Sequence, residues 1–223
     1  MKIKTLTILT SNLRETEQFY SDKLKLTLLS KSETTLHYQV GFSTLVFTYS
    51  ATKPAVYHYA FNIPASLLDS ALVWASQRFN LITNPSNELI TNFENWNAKA
   101  IYFYDNQGNL LELIARFDLE DRVQDLVFDQ SKIGNISEIG IVTEDPITCA
   151  ERWIQEHSLT YFKKTVPTKD FLALGDDEGL LILVSPNRTW YPTTIAAEKS
   201  LSKIEIKTAG TTIFLESEVT VGF

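Results

Sequence analysis

The chain of 223 residues holds only three histidines and one cysteine, so its reactive side chains can be weighed one at a time. Glu112 is conspicuous for its surroundings, because it interrupts the apolar run Leu110-Leu111-Glu112-Leu113-Ile114. Burying a lone carboxylate is costly, so it must be solvated by a cleft, paired with a cation, or protonated. His58, in Tyr57-His-Tyr-Ala-Phe-Asn-Ile-Pro64, can serve as a ligand, as a base, or as a hydrogen-bonded strand residue. A neutral imidazole and a carboxylate suit Fe(II), Mn(II), Ni(II) or Zn(II). Without a metal, the same two groups side by side would raise the imidazole pKa and form a proton-transfer couple. Trp96 and Asn97 end a long Asn- and Thr-rich connection at 81–97, with Tyr102 and Tyr104 just beyond it. An aromatic cleft there would suit a flat or hydrophobic ligand. His157 reads as a solvated helix end and Cys149 as a packing residue.

The elements that must position these groups form a repeat. Residues 3–10 alternate as a strand, Ser11 or Asn12 can cap a helix running to about Leu24, and strands follow near 26–32, 35–40 and 44–50. The order is βαβββ. It starts again at Tyr57, with a helix at 66–79 and two strong strands, 100–104 and 110–114, joined by the polar turn Asp105-Asn-Gln-Gly108. A third copy runs from Ile136 through a helix at 146–158 to strands near 160–166, 169–175 and 180–185. Of a fourth, only strands at 203–207 and 211–221 remain. The expected organisation is a first half at 1–120, a linker at 121–134 and a second half at 135–223.

Composition narrows the function. A formal net charge of -7, with no basic block, argues against nucleic acid or an anionic membrane as partner. Apolar runs are strand length, well short of a bilayer span, and the first twelve residues lack a signal-peptide core. A single cysteine excludes an intrachain disulfide and fits a reducing, cytoplasmic setting. No dinucleotide, phosphate-loop, zincin or serine-hydrolase motif occurs, so no nucleotide cofactor is expected.

The repeat, with Phe19-Tyr20 late in its first helix and the stretch Tyr102-Phe-Tyr-Asp-Asn-Gln-Gly-Asn-Leu-Leu-Glu112, resembles the vicinal oxygen chelate superfamily. Glyoxalase I, bleomycin and fosfomycin resistance proteins and extradiol dioxygenases belong to it. The resemblance implies an α+β fold of tandem βαβββ modules in two pseudo-symmetric half-domains, with curled mixed sheets and outer helices. Paired modules would form a cup, and the candidate cup lies in the first half. By strand alternation, His58, Ala60 and Asn62 face it from one strand and Leu110, Glu112 and Ile114 from another. His58 and Glu112 match the superfamily's metal-ligand positions and the roles that go with them. The first module offers Thr5 where another His is expected, so His37 is the candidate third ligand. Asn62, Trp96, Asn97, Tyr102 and Tyr104 are the expected substrate contacts. In the second half Glu138 corresponds to His58 and Leu183 to Glu112, and Glu138 is expected to pair with Lys203 in a mainly structural half. The implied function is metal-dependent chemistry of glyoxalase or ring-cleaving dioxygenase type on a small oxygenated or aromatic molecule. The alternatives are metal-free binding, as in bleomycin resistance proteins, or a degenerate non-catalytic member. A monomer or weak homodimer is expected.

Overall fold

A computed structural model describes residues 1–121, 123 and 127–217. Part of the expected linker, at 122 and 124–126, and the end of the strand expected to reach 221 lie outside the described residues.

The first module comprises β1 (Lys2–Thr10), α1 (Leu13–Glu17) continuing as a π-helical stretch (Gln18–Lys23), β2 (Thr27–Lys31), β3 (Thr35–Val40) and β4 (Ser43–Tyr49). The second comprises β5 (His58–Ile63), α2 (Leu68–Ser76), β6 (Leu81–Ile82), β7 (Thr91–Phe93), β8 (Ala98–Tyr104) and β9 (Leu110–Arg116). The third comprises β10 (Asn135–Val142), α3 (Pro146–His157), β11 (Phe171–Asp176) and β12 (Gly179–Val184). A hairpin of β13 (Ser202–Thr208) and β14 (Thr211–Glu216) is what the described residues hold of a fourth. The helices begin where local chemistry dictates: Asn12 accepts the Glu15 amide at 3.1 Å, and Asp145 accepts that of Thr148 at 3.0 Å ahead of Pro146. The strand expected near 160–166 shrinks to one bridge, Tyr161 to Leu174. Pro167, which has no amide to donate, follows it, and Lys164 reaches across to Asp118 and Asp177.

The strands form two mixed sheets, ordered β14-β13-β1-β4-β3-β2 and β11-β12-β10-β5-β9-β8-β6, with β7 also on β8. The pairing differs from the expected first-half cup. β1 joins β13, and β5 joins β10, so the second module shares its sheet with the third and the first with the hairpin. A repeat in sequence specifies the modules but not their partners. Those are chosen by edge-strand complementarity, here the antiparallel register that sets Ala60 opposite Glu138.

Alternation along β5 and β9 divides the interior. Tyr59, Phe61, Leu111 and Leu113 enter a large core shared with α1, α2 and the six-stranded sheet. Ala60, Leu110 and Ile114 enter a second core on the concave face of the eight-stranded sheet, with Ala100, Tyr102, Ile182 and Trp190. Both faces are therefore buried along β9, which explains its nearly continuous apolar sequence. Among the described residues no helix is long and apolar enough to cross a membrane.

Candidate active site

The concave face of the eight-stranded sheet holds a cavity of about 270 Å³. Its floor is built by three strands. β5 supplies His58, β9 supplies Glu112 and β10 supplies Glu138, and one ligand atom from each lies within 4.8 Å of the others. All three are buried. β5 is the hinge of this arrangement, parallel to β9 on one side and antiparallel to β10 on the other. Glu138 thus meets His58 and Glu112 across the junction of the second and third modules.

His58 Nδ1 lies 3.1 Å from the Leu110 carbonyl oxygen, which can only accept, so Nδ1 carries the hydrogen. Nε2 is left with its lone pair facing the cavity, 3.6 Å from Glu112 Oε2. Burial lowers the His58 pKa to about 4, partly opposed by the Leu110 contact and reinforced by Arg188. Glu112 moves the other way. Burial, and then the Glu138 carboxylate, push it well above the ordinary carboxylate value, while Arg116 and Tyr102 pull it back. Glu138 is raised by burial and pulled down by Arg116.

Arg116, at the end of β9, lies beneath this group. Its guanidinium is fully buried, donates to Glu138, and reaches Ser137 Oγ at 3.2 Å and Asp177 Oδ1 at 3.4 Å. It also lies under the rings of Trp96 and Phe162, at 5.6 and 5.9 Å. The walls are aromatic: Tyr102 stands opposite Glu112 in the β8–β9 register, Trp96 closes the end of the 81–97 connection, and the Trp190 ring lies tilted against His58, 5.3 Å between centroids. Gly140 on β10 makes room for Trp190, since a Cβ there would lie 2.4 Å from the indole.

Of the residues expected at the site, the structure gathers His58, Glu112, Trp96 and Tyr102. The others lie elsewhere. His37 is on β3 of the six-stranded sheet, whose neighbours are β2 and β4, so it cannot complete this ligand group. Asn62 shares the face of His58 but bonds Asn135 and the Asp177 carbonyl, outside the cavity lining. Asn97 is a left-handed turn residue tied to Asp118 at 2.7 Å. Tyr104 is exposed in a separate groove beside Phe19 and Arg78. Lys203 pairs with Glu216, not Glu138, because β13 belongs to the other sheet. The last-strand position facing the cavity is Ile182, while Leu183 points into the large core. Sequence reasoning passed over Arg116, Arg188, Trp190 and Tyr191. The last three sit on a long connection between β12 and β13, the kind of segment that often carries function.

The raised Glu112 pKa has a measurable consequence. A carboxyl whose folded pKa exceeds its unfolded value stabilises fully below the ordinary carboxylate range, and that contribution is lost as pH rises towards the folded value. Glu112→Gln mimics the protonated form and removes the term. Wild-type stability should therefore fall relative to E112Q as pH rises from about 4 to neutrality, and denaturant unfolding at several pH values reads the difference. Parallel curves would mean that Glu112 titrates normally.

This architecture is a glyoxalase-type fold. The sequence matches no protein-family model and no curated protein. Among solved structures, a Bacillus subtilis protein provisionally described as a dioxygenase superposes with a TM-score of 0.58 at 17% identity, over 82% of this chain and 63% of that one. Glyoxalase I from Zea mays gives 0.57 at 15% identity, over 88% of this chain and 70% of that one. The chain thus spans less than two thirds of the B. subtilis protein. At these identities the likeness is one of fold.

Proposed function

We propose that the cup of the eight-stranded sheet binds a divalent metal through His58, Glu112 and Glu138 and acts there on a small oxygenated or aromatic molecule, in chemistry of glyoxalase or ring-cleaving dioxygenase type. The observation that carries this reading is the convergence of three buried donor atoms within 4.8 Å. The donor set fits a borderline divalent ion such as Fe(II), Mn(II), Ni(II) or Zn(II). His58 is neutral, with its outer nitrogen held by a carbonyl in the manner that orients metal-ligating imidazoles. Two carboxylates crowded at one site also have a reason to accept a cation, since each raises the cost of ionising the other.

Such an ion would supply Lewis-acid polarisation of adjacent substrate oxygens. The chain's own residues do the rest. Trp190 and Tyr102 exclude water from the floor, Glu112 and Glu138 accept hydrogen bonds or positive charge, and Tyr102 presents a phenol beside Glu112. A metal-free binding protein is the second reading. One observation favours it: Arg116 already neutralises Glu138.

Elemental analysis of protein purified without chelator or metal-affinity resin separates the two. The metal reading expects near-stoichiometric Fe, Mn, Ni or Zn in the wild type and its loss in E112Q, which keeps the side-chain shape. A metal-free wild type that also shows no thermal stabilisation by these ions would exclude it.

A further inference from the structure

The connection from Ser185 to Leu201 folds back on itself. The Trp190 amide donates to the Ile195 carbonyl at 2.8 Å, the Ala197 amide to that of Arg188 at 2.6 Å, and Thr189 bridges Ala196. This fold carries Arg188, Trp190 and Tyr191 into the cavity wall. Exposure then grades the site from floor to rim: His58, Glu112 and Glu138 are buried, whereas Arg188 is half-buried and Tyr191 is 41% exposed.

The two arginines at the cavity are in opposite situations. Arg116 spends its donors on Glu138, Ser137 and Asp177. Arg188 is stacked on the Phe171 ring at 4.4 Å, and among the described residues its guanidinium makes no hydrogen bond or ion pair. The nearby Asp170 accepts from Ser185 Oγ at 3.2 Å and is not within ion-pair distance of Arg188. A planar fork of donors held against an aromatic ring, beside a cavity and without an acceptor, is arranged to receive one planar anion. Facing it are Phe93, Trp96 and Tyr191, with Phe93 6.0 Å from each of the other two rings.

We infer that Arg188 is the specificity-determining residue of the cup, and that the ligand is a small planar monocarboxylate. Its carboxylate meets Arg188 at the rim, its flat body lies between the aromatic walls, and its uncharged end points to His58 and Glu112. The charges favour this orientation, since a second anionic group would face the two floor carboxylates. The proposal rests on the cup being a ligand site, as above, but does not require the metal.

Benzoate and benzamide, which share shape but not charge, are the probes, with binding read by calorimetry or by quenching of the cavity tryptophans. The whole protein is used, first as purified and then metal-loaded. Benzoate should bind roughly tenfold or more tightly than benzamide, as a charge-assisted bidentate contact implies. Arg188→Gln should erase the preference by weakening benzoate alone, and Arg188→Lys should retain part of it. Thermal unfolding of both variants verifies that they are folded. Equal binding of the two probes, no binding of either, or a preference that survives in folded R188Q would overturn the assignment. A metal-free wild type that still prefers benzoate through Arg188 removes the metal reading and leaves this one standing. Bound metal without the preference does the reverse.

Discussion

Arg116→Met should lower the unfolding free energy by about 3–5 kcal/mol, the cost of stripping a buried ion pair of one partner. Methionine keeps most of the aliphatic stem beneath Trp96 and Phe162, so packing is largely preserved. What disappears is the only positive charge that touches Glu138 in the described residues. Glu138 is 3% exposed and lies beside the Glu112 carboxyl, so it cannot recover the lost contact from water. It must take up a proton instead. The deficit should therefore shrink as pH falls, and Glu138→Gln in the R116M background should restore much of the loss. Denaturant unfolding of wild type, R116M and the double variant gives the three values. A loss below about 1 kcal/mol would mean that the pair is solvated like a surface bridge. The same series bears on function, because a cation bound at Glu138 would replace the missing guanidinium, and added metal should then rescue R116M more than wild type.

Much of this molecule was legible because alternation is a local property. The pattern that sends Leu111 and Leu113 one way sends Glu112 the other, and the same rule put His58 and Glu112 on one face before any pairing was known. It also put His37 and Gln39 on the face of β3 opposite Leu36 and Tyr38, which is where they lie. What alternation cannot give is the partner of an edge strand. The repeat alone puts His37 in one cup with His58, yet β1 pairs with β13 and β5 with β10, separating the two histidines and bringing in Glu138. Glu138 corresponds to the position of His58 in the repeat, and that symmetry is the signal that it faces the same cavity. The expectation of Lys203 as its partner hid it. Arg116 was missed for a related reason: as the last residue of β9 it reads as a solvated strand end, and only tertiary contacts bury it, Ser137 and Glu138 from β10 on one side and the rings of Trp96 and Phe162 on the other. The connection that carries Arg188 and Trp190 has no periodicity to read, so its return to the cavity depends on tertiary contacts alone.

The second large loss is expected at a residue remote from the cavity floor. Asp105→Ala should destabilise the fold by about 3–5 kcal/mol, since it orphans several buried donors that each cost about 1–3 kcal/mol to leave unmet. The Asp105 carboxylate organises the turn between β8 and β9, accepting the Gln107 and Asn109 amides at 2.8 and 2.9 Å and Asn109 Nδ2 at 2.8 Å. It also receives the Tyr20 hydroxyl at 2.7 Å, which itself bonds the Tyr59 hydroxyl. Tyr20 comes from the first module's helix and Tyr59 from β5, the strand that carries His58, so one carboxylate fastens the six-stranded half to the strand that builds the site. This gives a physical account of two sequence marks of the fold, the Phe19-Tyr20 pair and the Asp105-to-Asn109 turn: they are halves of one buried hydrogen-bond network. Asp105→Asn should cost less than alanine, because its amide oxygen still accepts the two backbone amides while its nitrogen confronts Asn109 Nδ2. Tyr20→Phe should cost less again, about 1–3 kcal/mol, because it removes the hydroxyl's bonds to Asp105 and Tyr59 but leaves the turn's own bonds to Asp105 in place. Thermal and denaturant unfolding would rank the three. If D105A and Y20F proved equal, the turn would be held by its backbone alone, and Asp105 would serve only the contact between modules.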